Sequence, residues 1–146
     1  MQDSHARFDE LAQWFETLTP ETLKKIDQIY ASDATFRDPF NRVCGSDSIR
    51  LVYQHMFEQL VEPRFVIITK LIQGPAAFMT WQFLFNLRDK AYVIEGGTHF
   101  SIDDVGLIVE HRDYWDAAQE LYEKIPLLGS VLRALRRKLS IAGLQS

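Results

Sequence analysis

A short segment in the last third of the chain combines acid, base and apolar side chains. Residues 110–115 read Glu-His-Arg-Asp-Tyr-Trp, and strand alternation places His111, Asp113 and Trp115 on one face. Apolar residues earlier in the strand, Leu107 and Val109, share that face, so we expect it to turn toward the core. Buried polar groups are costly unless they are hydrogen-bonded. The pattern therefore predicts either a satisfied internal pair or a pocket acid–base pair, because a carboxyl in an apolar cleft exchanges protons near neutral pH.

Two other segments carry candidate groups. Asp38 precedes Pro39 in an apolar-flanked loop or short strand, where an aspartate opens a turn or supplies a second pocket carboxyl. Paired glycines precede Thr98 and His99, and glycines inside a strand suggest a bulge or a bend. A bulge would leave the facing of these two residues open, whereas regular alternation turns Thr98 inward and His99 outward.

Composition limits the class of protein. The 146 residues are 47% hydrophobic and 25% charged, which is typical of one globular domain with a proper core. A net charge of −4 argues against a general nucleic-acid binder. The first ten residues contain no apolar run typical of a secretion signal, and no stretch approaches a membrane span, so we expect a cytoplasmic protein.

Metal and thiol chemistry are not favoured. Cys44 is the only cysteine, so no intramolecular disulfide and no cysteine-rich metal site is expected. His99, His111 and Asp113 are residue types that bind metals, but three ligands must converge with supporting partners. We therefore expect neither a metal nor a cofactor.

Helical spacing dominates the first third of the chain. Apolar residues recur at helical spacing from Phe8 to Leu18, and a second helix is predicted from Thr19 and Pro20 as far as Tyr30. Residues 31–45 form a turn-rich stretch. A third helix begins near Ser46 with an apolar side that consists of Ile49, Val52, Tyr53, Met56, Phe57 and Leu60.

Two-residue alternation follows Pro63 and predicts a meander of strands over 64–71, 77–87, 91–102 and 107–115. Short turns join these strands, so we expect them to pair antiparallel. Helices followed by strands indicate an α+β domain spanning 1–146. Residues 117–146 form a predicted C-terminal amphipathic helical extension. Packing on the domain is favoured for it over a membrane surface or an acidic partner, and it could also lid the pocket.

Three stretches carry a family resemblance: YASDATFRDPF, GSDSIRLVYQHMF and GGTHFSIDDVGLIVEHRDYWD. They resemble the NTF2-like superfamily, and within it the SnoaL-like polyketide cyclase and ketosteroid isomerase-like branch. The resemblance implies a cone, in which a strongly curved antiparallel sheet wraps around N-terminal helices and encloses a pocket. It also implies a homodimer formed through the outer face of the sheet.

The resemblance assigns roles to particular residues. Asp38 matches the general base of the isomerases, while Trp14 and Thr98 stand where those enzymes have a tyrosine and a protonated aspartate that hold the oxyanion. Because neither replacement is as strong a donor, steroid isomerisation is not expected. Asp113 matches the acid–base aspartate of the cyclases, and His99 matches their pocket histidine.

Two functions follow from the residues and the resemblance together. The first is cofactor-free proton transfer on an apolar carbonyl compound by Asp113, with His111, Asp38 and His99 as further candidate catalytic residues. The second is a non-catalytic module that binds a small apolar ligand or a partner protein. In both, the expected pocket-lining residues are Trp14, Phe15, Tyr30, Phe40, Met56, Trp81, Phe83, Thr98 and Trp115.

Overall fold

The structure is a computed structural model that describes residues 3–115 together with Arg137, Ser140 and Ile141. Apart from these last three residues, the predicted extension over 117–146 lies outside the described residues. No helix in the described part of the chain is long and apolar enough to cross a membrane.

Helix α1 (Ser4–Glu16) confirms the first predicted helix. The side chain of Asp3 accepts a hydrogen bond from the backbone N–H of His5 at 3.0 Å and caps the N-terminus. The helical spacing of its apolar residues buries one face against the sheet, with Phe8, Leu11, Ala12 and Phe15 in the core.

The second predicted helix is wrong in type and length. Only Thr22–Gln28 is helical, as a 3₁₀ helix, and the Oγ1 of Thr19 accepts from the Thr22 N–H at 3.1 Å. Tyr30, predicted at the end of that helix, instead begins strand β1 (Tyr30–Arg37). Pairing with a strand near residue 110 determines that this segment is a strand. Helical spacing over a short window carries no information on such a distant partner.

The stretch predicted as turns also holds strand β2 (Arg42–Cys44), which pairs antiparallel with β1. Helix α2 (Ser46–Gln59) begins where the sequence predicts it and buries the expected apolar side. Four long strands follow: β3 (Val61–Gln73), β4 (Ala76–Leu87), β5 (Lys90–Ile102) and β6 (Ile108–Trp115).

The six strands form one curved sheet in the order β2-β1-β6-β5-β4-β3. The antiparallel meander predicted for β3 to β6 is confirmed. The pairing of β1 with β6 is parallel, which local alternation does not predict. Both helices contact the sheet, and one core cluster fills the space between them. The predicted α+β architecture is therefore confirmed.

Alternation predicts the facing of β4 correctly, because each second residue from Ala77 to Leu87 is buried. In β3 the register shifts between Ile67 and Thr69. Leu71, which alternation places on the same face as Ile67, is therefore 63% exposed. In β6, Ser101 pairs with Glu110 and Ile102 with Ile108, leaving Val109 as an extra residue.

This bulge corrects the predicted facing of one residue in β6. Ile108 was assigned to the outer face together with Glu110, but it is fully buried. Beyond the bulge the predicted alternation holds, with His111 buried and Arg112 exposed. The segment 111–115 therefore faces as the sequence predicts.

The paired glycines of β5 do not form a bulge, because β5 pairs with β4 without a register shift. They allow close packing instead. A Cβ on Gly96 would lie 2.6 Å from the ring of Trp81 and 2.7 Å from the carbonyl oxygen of Tyr114. Regular pairing turns Thr98 inward and His99 outward.

Candidate functional site

The inner face of the sheet, α1 and α2 enclose a cavity of about 620 Å³, measured with its open mouth. Its wall is mainly aromatic and aliphatic, with a few polar groups gathered on one side. Nine of the residues expected at the site line it: Phe15, Asp38, Met56, Trp81, Phe83, Thr98, His111, Asp113 and Trp115. Seven lining residues were not among those expected: Phe36, Asn41, Val52, Tyr53, Phe65, Ile67 and Phe100.

His111 links Asp113 to two buried tyrosines. Its Nε2 lies 2.8 Å from Oδ1 of Asp113, and its Nδ1 lies 2.7 Å from the hydroxyl of Tyr30. The hydroxyl of Tyr30 lies 2.9 Å from that of Tyr53. The imidazole is only 4% exposed and packs against Phe36, with ring centroids 4.4 Å apart. The inward histidine is thus hydrogen-bonded on both ring nitrogens.

A second chain reaches the same carboxylate oxygen. The indole N–H of Trp81 donates to Oγ1 of Thr98 at 2.8 Å, and that hydroxyl donates to Oδ1 of Asp113 at 2.5 Å. Thr98 and Asp113 are direct partners across β5 and β6, so strand pairing fixes this contact.

Both chains end on Oδ1 of Asp113, and no residue of the described chain donates a hydrogen bond to Oδ2. The side chain of Asp113 is 12% exposed and lines the cavity. A carboxylate oxygen has lone pairs for further donors. The oxygen left over is therefore the one available to a ligand.

Asp38 is the second cavity carboxyl. It lies in the turn between β1 and β2, where its Oδ1 accepts from the backbone N–H groups of Phe40 at 2.7 Å and Asn41 at 2.6 Å. Burial, and next the charge of Asp113, raise the pKa of Asp38 to about 7, although its three hydrogen bonds act in the opposite direction. A carboxyl whose pKa is raised to about 7 therefore lines the same cavity as Asp113.

The two linked tyrosines stay protonated. Burial raises the pKa of Tyr30 and of Tyr53 well above the ordinary value, and the nearby charge of Asp113 adds to both shifts. Tyr53 lines the cavity and was not identified as a site residue from the sequence, where it reads as one apolar position of α2. Its only signal was a hydroxyl on a buried helix face, which needs a partner.

Four expected site residues do not line the cavity. His99 lies on the outer face, 40% exposed, with its Nδ1 3.3 Å from Glu110, so its predicted catalytic place in the pocket is wrong. Tyr30 is buried behind His111. Trp14 packs edge-on against Phe15, Tyr30 and Tyr53, and its buried indole N–H has no partner in the part of the chain that the structure describes.

Phe40 is the fourth of these residues, and it packs edge-on against Trp115 with ring centroids 5.3 Å apart. Its carbonyl oxygen accepts from the Ser140 hydroxyl at 3.1 Å, and the N–H of Ile141 donates to Oδ1 of Asn41 at 2.9 Å. Two residues of the predicted C-terminal extension thus contact the turn that holds Asp38.

Among the described residues no group of three or more histidine, cysteine, aspartate or glutamate side chains is placed to hold a metal ion. The set suggested by the sequence does not converge, because His99 and His111 lie on opposite faces of the sheet.

We expect the Asp38→Asn variant to reveal the raised pKa as a pH-dependent stability. Between about pH 4 and 7 native Asp38 keeps a proton that the unfolded chain releases, so wild-type stability falls as the pH rises through this range. Asparagine accepts the same backbone N–H groups and does not ionise. From pH 5 to pH 8 the stability of the variant relative to the wild type should rise by on the order of 1–3 kcal/mol in urea unfolding. An equal difference at both pH values would contradict this.

Known proteins that this chain resembles share its fold. The sequence matches the family model of the SnoaL-like domain over residues 11–111. Among curated proteins none matches the sequence significantly. The structure is similar to an M. tuberculosis LEH-like epoxide hydrolase, with a TM-score of 0.72 and 16% identity over 91% of this chain and 99% of that chain.

Two other solved structures are similar. One, from Shewanella putrefaciens CN-32, is named as a SnoaL-like polyketide cyclase; its TM-score is 0.69 at 16% identity, over 85% of this chain and 96% of that chain. An NTF2-like protein of unknown function from Burkholderia pseudomallei K96243 has a TM-score of 0.67 at 14% identity, over 84% of this chain and 97% of that chain. Identities this low show the fold alone. The family match covers most of the chain, so the protein belongs to the SnoaL-like domain family and has the NTF2-like fold.

Proposed function

We propose that this protein is a cofactor-free acid–base enzyme that acts on a small apolar carbonyl compound by isomerase-, cyclase- or hydrolase-type chemistry. One observation carries the proposal: two carboxyls in different hydrogen-bonding environments line one apolar cavity. Pairs of titratable groups whose surroundings separate their proton affinities are typical of acid–base sites.

Asp113 is the base in this proposal. Its Oδ1 is held by Thr98 and His111, which fixes the carboxyl in one orientation. Oδ2 then accepts the proton from the carbon beside the substrate carbonyl, and the C–H electron pair moves toward the carbonyl oxygen. A positioned general base contributes about 10²–10⁴-fold to the rate of such a step.

Asp38 is the acid. Its pKa of about 7 keeps a large fraction protonated at neutral pH, and a protonated carboxyl donates a hydrogen bond to the carbonyl oxygen as negative charge develops there. The family resemblance assigned Asp38 the role of base, so the proposal reverses that role. The reason is that Asp38 is the carboxyl with the raised pKa.

The apolar wall supports this chemistry by excluding water. Trp81, Phe83 and Trp115 pack against one another, with centroid distances of 5.8 Å and 5.9 Å between Trp115 and the other two rings. A dry wall strengthens electrostatic interactions with the developing charge and protects an enolate from hydration. Hydrolysis needs the same base, because Oδ2 of Asp113 would then take a proton from water.

The names of similar structures agree with this class of reaction and leave the substrate open. One is called a SnoaL-like polyketide cyclase and another an LEH-like epoxide hydrolase. The alternative function, a non-catalytic ligand-binding module, is favoured by one feature. No lysine or arginine is among the described residues that line the cavity, so an oxyanion would depend on neutral donors.

Enolisation of a probe ketone tests the proposal without knowledge of the substrate. We expect the wild type to accelerate exchange of the α-protons of 2-tetralone for deuterium above the buffer rate, as followed by ¹H NMR in D₂O. Asp113→Asn should lower the protein-dependent rate about 10²-fold or more, because an amide is not a base.

His99→Gln is the matched control, since it changes a histidine on the outer face of the sheet and should leave the rate unchanged within about twofold. Binding of the ketone without faster exchange, or equal exchange by Asp113→Asn, would favour the ligand-binding alternative.

We also propose that two copies associate through the outer face of the sheet. Large apolar side chains are exposed there on β3 and β6: Val66 at 38%, Ile68 at 59%, Leu71 at 63% and Tyr114 at 48%. Large apolar side chains exposed together on one sheet face are typical of an interaction surface.

The cytoplasmic location stays a prediction.

A charge in this patch should separate the copies, because an ionised carboxylate is costly to bury in an apolar interface. We expect Ile68→Asp to shift the mass measured by light scattering from two chains to one. Val105→Asp changes a residue that is 69% exposed in the β5–β6 turn and should leave the mass at two chains. A wild type with the mass of one chain would refute the dimer.

A further inference from the structure

The direction of each hydrogen bond behind the cavity follows from the donors and acceptors when His111 is neutral and Asp113 is ionised. As an ionised base, Asp113 can only accept, so both groups on its Oδ1 must donate. The Thr98 hydroxyl does so because it already accepts the indole N–H of Trp81, a group that can only donate. His111 therefore carries a hydrogen on Nε2.

The direction passes from His111 to the tyrosines. A neutral imidazole with hydrogen on Nε2 has a bare Nδ1, which accepts from the hydroxyl of Tyr30 at 2.7 Å. A hydroxyl has one hydrogen, so Tyr30 has none left for Tyr53. The 2.9 Å contact between the two hydroxyls is then made by the hydrogen of Tyr53.

Tyr53 consequently has only lone pairs to offer to the cavity that it lines. Its hydroxyl makes no other hydrogen bond in the described chain. Asp38 and Asp113 line the same cavity as Tyr53. An acceptor in an apolar wall costs free energy when a ligand leaves it unpaired, so it discriminates between ligands.

We propose that the cavity selects a hydroxylated apolar compound, in which a ligand O–H donates to Oη of Tyr53 while the reacting carbonyl lies near the two aspartates. This inference names the substrate class for the proposed acid–base reaction and rests on that reaction in taking Asp113 as an ionised base. Tyr30 and His111 act as positioning residues, since they touch Tyr53 and Asp113 and set which atom each presents.

The state of His111 is the step on which this direction depends. An imidazolium would donate from Nδ1 to Tyr30, which would then donate to Tyr53 and turn the Tyr53 hydrogen toward the cavity. The inference takes the ring as neutral because it lies among aromatic rings, with the Phe36 and Phe100 centroids at 4.4 Å and 4.9 Å, where a charge is costly to bury. The hydrogen-bonded carboxylate of Asp113 acts in the opposite direction, so the form of the ring has to be measured.

The first measurement needs no ligand. In the full chain with ¹⁵N-labelled histidine near pH 8, we expect the His111 signals to show a protonated Nε2 and a bare Nδ1, assigned by their loss in His111→Gln. A hydrogen on Nδ1 would overturn the inference, because it reverses the direction in both tyrosines.

The second measurement uses a matched pair of probes, 2-naphthol and 2-methoxynaphthalene, which share an apolar body and differ in the donor hydrogen. We expect calorimetry near pH 8 to show tighter binding of the naphthol by roughly three- to tenfold, the range for one neutral hydrogen bond. Tyr53→Phe should reduce this ratio to about one, whereas Tyr92→Phe, a tyrosine outside the hydrogen-bonded chain, should leave it unchanged.

The outcomes separate the two proposals. Equal binding of both probes by the wild type, or a naphthol preference that persists in Tyr53→Phe, would overturn the inference and leave the acid–base function standing. A naphthol preference that depends on Tyr53, without any exchange of the ketone α-protons, would support the inference and contradict the proposed enzyme activity. Failure of both probes to bind would count against the cavity as a ligand site, and hence against both the proposed function and the inference.

Discussion

The site depends on how the two oxygens of one carboxylate are used. Oδ1 of Asp113 accepts from Thr98 and from His111, while no described residue donates to Oδ2. Hydrogen bonds to a carboxylate stabilise its charged form and fix its orientation. The same contacts that satisfy the internal pair therefore leave Oδ2 without a donor among the described residues. The structural and functional interpretations of His111 and Asp113 are in this way compatible.

The fold brings the members of this network together from distant parts of the chain. Strands β4, β5 and β6 supply Trp81, Thr98 and Asp113 on one face, and antiparallel register makes Thr98 and Asp113 direct partners. Tyr30 comes from β1, which pairs parallel with β6, and Tyr53 comes from α2. Burial of these polar groups is tolerated because each one is paired. Outside this network, the buried ring nitrogens of Trp14, His55 and Trp115 have no hydrogen-bond partner among the described residues.

Local pattern was sufficient where one face of a regular element decides the structure. The alternation in β4 and the inward facing of His111 and Asp113 were predicted from the sequence, as were α1 and α2. Pattern failed where distant pairing decides, as in β1 and β2, and where a register shift resets the alternation, as at Ile108. Tyr53 was missed because its role comes from a partner 23 positions earlier. His99 was placed in the pocket by resemblance, whereas regular pairing of β5 turns it outward.

Carboxyl titration tests the central claim most directly, because the account requires two aspartates that interact within one dry cavity. The measurement is ¹³C NMR of aspartate-labelled protein, with the Asp38 signal assigned by its loss in Asp38→Asn. The account predicts that this signal titrates near pH 7 in the wild type and at a lower pH in Asp113→Asn, since the second charge is removed. Titration of Asp38 near its ordinary value of about 4 in both proteins would contradict the account.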